Sequence, residues 1–218
     1  MLGLLVKDLK LLKNQKMFIC ILLFIAGVFL KTDFGISFSM GYLTFMGAML
    51  IISTISMDDY NYGMSFLMTL PFKKEDYVKE KYILGIMISL LAWLVGLVLS
   101  FIGMYIHDMP TPISEHILSS VMVLLFALML VSILIPVQVK FGQTKANVAV
   151  IIVFAILFLI GFIIYTIASL LGVDITALLN QLSHMSQSYV VLCILAITIV
   201  VEGISYLITM KIMNKKEF

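Results

Sequence analysis

A chain of 218 residues that is 62% hydrophobic and only 12% charged has too little polar side chain to clothe a soluble globule of its size. Its mean hydropathy of +1.16 places it among polytopic membrane proteins. The net charge of +2 rests on lysines alone, arginine being absent, and no basic block is dense enough to grip nucleic acid.

The lysines carry a topology. Thirteen of the 14 fall in four stretches, residues 7–16, 73–81, 140–145 and 211–216, with Lys31 the exception. Lys is retained on the cytoplasmic side of short loops, so the clusters predict four visits to the cytosol, both termini inside and an even number of crossings.

Residues 1–16 open the chain. Leu2, Leu5, Val6, Leu9 and Leu12 recur at helical spacing opposite Lys7, Lys10 and Asn14, which predicts an amphipathic interfacial helix. Leu4 and Leu11 intrude on its polar face, the mark of a plain extension of the first span. The run Met17 to Leu30 imitates a signal peptide, but no small-x-small cleavage site follows, so it reads as a retained span.

Six apolar spans are expected at about 17–31, 35–57, 82–106, 115–137, 147–171 and 188–210, in a single all-α transmembrane domain. A crossing takes roughly 20 residues, and the first run falls short. Either Leu11, Leu12 and a snorkelling Lys16 extend it, or the first two runs form a re-entrant hairpin and four full crossings remain. Ser37 and Gly41 make span two a candidate for helix or subunit contact, and Pro136 is expected to kink or end span four.

The outer side carries Asp33, Asp108, Glu115 and Asp174 against Lys31 alone. Within 172–187, Ile175, Leu178, Leu179 and Leu182 fit a small outer amphipathic helix or an ordinary loop. Cys20 and Cys193 lie in apolar runs without a CxxC partner and read as small hydrophobes.

No GxxxxGK[ST], HExxH or GxSxG motif and no Cys/His ligand cluster occurs. His107, His116 and His184 are widely separated and read as solvated loop residues. No catalytic, cofactor-binding or metal-binding residue is expected, and the chain does not read as an enzyme.

Two constellations remain. In the cytosolic excursion 58–81, Asp58 and Asp59 can cap a helix over Tyr60 to Leu70, with Tyr62, Phe66, Leu67 and Leu70 presented for contact and Pro71 ending it. Such apolar side chains either dock a soluble partner or fold back on the bilayer surface. In the last span, Thr198, Glu202, Ser205 and Thr209 fall at i, i+4, i+7 and i+11, one stripe of a helix with an ionisable group inside a membrane segment. Either the stripe lines a substrate path or Glu202 hydrogen-bonds a neighbouring helix.

The run from Asp58 and Asp59 through Gly63 and Leu67 to Leu70-Pro71-Phe72-Lys73-Lys74, then Tyr77-Val78 and Lys81-Tyr82, resembles the signature loop of small six-span ATP-binding-cassette type 2 exporter permeases. The family often has Asp-Glu where Asp58-Asp59 stands, and Arg where Lys73 or Lys74 stands. The layout of the whole chain is also similar, and within the family the likeness is to the membrane subunits of phenol-soluble-modulin exporters. The resemblance implies that Asp58, Asp59, Tyr62, Gly63, Phe66, Leu67, Leu70 and Pro71 couple to a cytosolic ABC ATPase subunit, which carries the ATP and Mg. It implies also a second permease copy or paralogue, a bacterial cell (cytoplasmic) membrane, and export of amphipathic or cytolytic peptides or similar hydrophobic cargo. The rival expectations are an ion-coupled secondary transporter using Glu202 and a membrane assembly factor without transport.

Overall fold

With no water in the hydrocarbon to satisfy peptide groups, each apolar run closes its own hydrogen bonds as a helix. The computed structural model describes residues 2–31, 33–60, 63–107, 112–170 and 187–216, and among them there is no strand. The elements are α1 (Leu2–Asn14), α2 (Lys16–Phe29), α3 (Asp33–Ala48), α4 (Leu50–Asp59), α5 (Gly63–Met68), α6 (Lys74–Ile106), α7 (Ile113–Leu170) and α8 (Gln187–Lys215).

Helix α1 meets α2 in an elbow of 62°. The corner residue Gln15 is pinned to α4 by its amide, which donates to Ser53 Oγ at 2.5 Å. Leu4, Asp8 and Leu12 face the core, with Leu11 half-buried, while Val6 and Leu9 are exposed. The helix is thus apolar on two sides, and Leu4 and Leu11, which looked like intruders on a polar face, form its protein-facing edge.

Among the described residues, four helices are long and apolar enough to cross a membrane, Gly35–Asp59, Lys74–Ile106, Ile113–Gly142 and Ser188–Lys215, and the bent α1–α2 pair makes five if it counts as one span. Six were expected from the sequence. At about 1.5 Å per residue the 14 residues of α2 reach only about 21 Å against a core of about 30 Å. The stretch beyond Gly142, where the fifth expected span lies, stands outside that count and is helical as far as Leu170. The outer segment 172–187 lies outside the described residues except for Gln187.

Helices α3 and α6 form one extensive contact, and α7 and α8 another. A Cβ on Gly47 would lie 2.2 Å from Ala92 Cβ, so this glycine sets the close approach of α3 to α6. The pair Ser37 and Gly41 does not do so: Ser37 is exposed and a Cβ on Gly41 would meet nothing within 4 Å. Likewise α7 runs through Pro136 and breaks instead at Gly142, whose φ of 67° and ψ of −177° suit glycine alone.

All four lysine-bearing segments meet at one end of the bundle. Lys7 pairs with Asp58, Lys81 with Asp8, Lys74 Nζ donates to the Lys216 carbonyl at 2.8 Å, and Lys216 Nζ donates to the Val139 carbonyl at 3.1 Å. The opposite end holds two of the three histidines, and neither is a solvated loop residue. His107 Nε2 lies 2.9 Å from the carbonyl of Leu30, one of the acceptors orphaned where α2 ends. His116 Nε2 lies 2.9 Å from Ser100 Oγ, its ring edge-on to Phe101. His184 lies outside the described residues.

A Cβ on Gly142 would lie 2.4 Å from Asp59 Oδ2 as well as forcing an alanine into a glycine conformation. Gly142→Ala should therefore destabilise the chain by about 1–3 kcal/mol. Thermal unfolding of the purified variant in detergent checks this, and an unchanged midpoint would remove the break at Gly142.

Candidate coupling surface and last-span stripe

Helix α5 begins where a side chain has no room, since a Cβ on Gly63 would sit 2.7 Å from the Asp58 carbonyl oxygen. Helix α5 then lays its inner side on the bundle. Met64 and Leu67 are buried, and Met64 joins the apolar cluster of Ile55, Tyr77 and Val139. Phe66, 69% exposed, and Leu70, 41% exposed, face outward. The Leu70 amide donates to the Leu67 carbonyl at 3.1 Å and the Phe72 amide to the Leu70 carbonyl at 2.8 Å, closing the turn around exposed Pro71. At the start of α6, the Lys73 amide donates to Asp76 Oδ2 at 3.2 Å. Of the apolar residues expected to face a partner, the structure therefore presents Phe66 and Leu70 and turns Leu67 inward. Tyr62 lies outside the described residues.

Asp58 and Asp59 do not cap α5, because both belong to the last turn of α4. Asp58 is buried in a knot of charges. One carboxylate oxygen pairs with Lys7; the other lies 2.7 Å from Lys81 Nζ and accepts the Tyr77 hydroxyl at 3.2 Å. Lys81, with no exposed side-chain surface, also pairs with Asp8 and donates to Thr54 Oγ1 at 3.4 Å. Lys7 Nζ lies 3.0 Å from Asp8 Oδ1, and buried Glu80 lies 3.7 Å from Lys81 Nζ. Helices α1, α4 and α6 are joined here by charge-assisted bonds away from water. Half-buried Asp59 sits instead against the break at Gly142.

The last-span stripe divides. Thr198 is buried and donates to its own helix, at the Ile194 carbonyl, at 2.8 Å. Ser205 and Thr209 form a joint: the Tyr82 hydroxyl lies 2.6 Å from Ser205 Oγ and 2.9 Å from Thr209 Oγ1, and Ser205 donates to the Ser132 carbonyl. One polar node thus joins α6, α7 and α8. Glu202 stays half-buried one turn away.

Asp8 and Glu80 were not singled out from the sequence, and Lys7, Tyr77 and Lys81 were named there for the polar face of the first helix, the topology and the loop resemblance, not as partners of one another. The signal was present in Asp8, which falls midway between Leu4 and Leu12 on the buried edge of α1. An acid on an apolar edge needs a buried cation.

Apolar helices joined by buried polar nodes, with lysines gathered at one end, define a polytopic membrane protein. The model of the ABC-2 family transporter proteins matches residues 3–214, and the chain belongs to that family. It is accordingly a permease component of an ABC transporter, a membrane part that is not itself an ATPase, and its family implies an ABC ATPase partner. No curated protein and no solved structure matches it.

Lys81→Met would leave Asp8 and Asp58 facing each other without the shared ammonium. A loss of about 3–5 kcal/mol is expected, and Lys81→Met combined with Asp8→Leu should recover part of it. Denaturation in detergent followed by the fluorescence of Trp93, the single tryptophan, measures both. Wild-type stability in Lys81→Met would mean that the knot carries no load.

Proposed function

We propose that this chain is the transmembrane subunit of an ATP-driven exporter whose cytosolic ATPase docks on α5, and whose cargo is an amphipathic peptide or similar hydrophobic molecule. In this reading the lysine-bearing end faces the cytosol of a bacterial cell, six spans cross its membrane, and a second permease copy or paralogue completes the pathway. ATP and Mg act on the partner ATPase.

The observation that carries the proposal is the two-sidedness of α5. Phe66 and Leu70 offer apolar anchors outward, while Met64 and Leu67 are seated on the core beside the knot of Asp58, Lys7, Lys81 and Asp8. A push on the outer side therefore reaches α1, α4 and α6 together, as a rigid-body switch requires. Asp58, Asp59, Gly63 and Pro71 shape the mount, and Phe66 and Leu70 make the contact.

Glu202 is assigned to the cargo path. It is half-buried, and no hydrogen-bond or ion-pair partner is found for it among the described residues. Thr198, Ser205 and Thr209 position its helix.

The test is co-purification with the ATPase, followed by ATP hydrolysis in nanodiscs with and without an amphipathic helical peptide. Phe66→Asp alters an exposed position, so the chain should still fold while association and peptide-stimulated hydrolysis fall at least tenfold. Full retention of the complex by both Phe66→Asp and Leu70→Asp would sink the docking assignment. Hydrolysis that ignores peptide would keep the exporter and discard the cargo. Glu202→Gln should lower peptide stimulation while leaving ATPase association intact; transport that needs no ATPase and fails in Glu202→Gln would favour ion coupling instead.

A further inference from the structure

The inner angle of the α1–α2 elbow encloses an apolar crevice of about 270 Å³. Leu9 and Leu12 of α1, Ile19 and Leu23 of α2, and Leu91 and Val95 of α6 line it, with the close contact of Gly47 and Ala92 also in its wall. Along α6 it runs from Ile88 to Val95, seven residues or about 10 Å of depth. Such a wall offers water nothing to bond to, so a crevice of this size at a membrane surface takes an apolar guest.

The charges around the crevice select the guest. Lys13 follows Leu9 by four residues on the same face of α1, and Lys16, Ile19 and Leu23 share a face of α2. Two lysines therefore stand at the corner where the crevice begins. They are unmatched: residues 9–32 contain no acid, and the nearest, Asp8, is turned the other way into the knot with Lys81. Lys10, Lys13 and Lys16 are exposed, and no ion pair is found for them among the described residues. The pattern is a cationic rim over a narrow apolar slot.

We propose that the elbow holds one anionic phospholipid, its phosphate against Lys13 and Lys16 and one acyl chain in the crevice. The rim supplies the charge complementarity that juxtamembrane lysines offer anionic headgroups. Size argues against the amphipathic peptide of the preceding section: a helix with its side chains is about 10–12 Å across, too thick for this slot, whereas a single hydrocarbon chain fits. The bound chain would fill the space inside the bend between α1 and α2, and hold the elbow angle.

Native mass spectrometry of the full chain in detergent, titrated with dioleoylphosphatidylglycerol or dioleoylphosphatidylcholine, tests this without the ATPase, so that a failure here is distinct from a failure of the exporter reading. One phosphatidylglycerol should be retained in preference to phosphatidylcholine. Lys13→Gln with Lys16→Gln should weaken that retention roughly thirty-fold, the joint contribution of two lysines beside an anionic headgroup. Leu91→Trp, at a position 59% exposed, should block the slot and abolish selective retention with all lysines present, and Leu23→Trp provides the same test from α2. Equal retention of both lipids, or unchanged phosphatidylglycerol retention in both tryptophan variants, would overturn the site. Displacement of bound phosphatidylglycerol from the wild-type chain by an amphipathic helical peptide would assign the crevice to cargo and overturn the site as well.

Discussion

The joint of α1, α4 and α6 at the lysine-bearing end of the bundle depends on one buried ammonium. Lys81 has no exposed side-chain surface and stands between Asp8 of α1 and Asp58 of α4. Desolvating such a group costs several kcal/mol, which is recovered only if both carboxylates hold their positions, so the three helices are committed to one arrangement or to none. A buried ion pair adds little to net stability when compared with well-packed hydrocarbon. Its worth here is geometric, because in lipid an apolar face does not distinguish one apolar neighbour from another.

That commitment explains why α1 is bound into the protein by more than its leucines. An amphipathic helix lying free on a bilayer would turn all its apolar residues down and all its charges up. Helix α1 instead buries Leu4, Asp8 and Leu12 against the bundle, leaves Val6 and Leu9 outward, and turns Lys10 and Lys13 to solvent. Its position follows from Asp8 as much as from its leucines. Gln15, bonded to Ser53, then fixes where α2 departs, and the elbow becomes a defined shape with its own crevice.

Much of this was legible in the residues. The lysine clusters were read as four visits to one side, and the segments that carry them do meet at one end. The excursion at 58–81 was read as a short helix ended by Pro71, and α5 lies there, shorter than expected. What failed shares a physical cause: single positions were assigned by local rules where tertiary partners decide. Asp58 has the chemistry of a helix cap, but Lys7, Lys81 and Tyr77 claim its carboxylate from other helices. Of the kink or end expected at Pro136, the end falls instead at Gly142, where Asp59 leaves no room for a side chain. The histidines looked like loop residues because the acceptor and hydroxyl they meet, on Leu30 and Ser100, are distant in sequence or hidden in an apolar run.

The last helix shows the same logic under the opposite condition. Only 11% of the apolar part of α8 is buried, against 50% for Gly35–Asp59, and what it buries lies mainly against α7. What fixes its rotation is polar: Tyr82 reaches both Ser205 and Thr209, and Ser205 reaches a backbone carbonyl on α7. Hydrogen bonds of this kind average a modest energy in membranes, but they are directional and fix rotation about the helix axis where leucine contacts would let it slide. Once Ser205 and Thr209 are turned inward, Glu202, three residues before Ser205, comes to the edge of the buried face and not to its centre. The half-burial of that carboxylate is therefore a consequence of the joint beside it, and Glu202 is positioned by Tyr82, a residue of α6, the helix that follows α5.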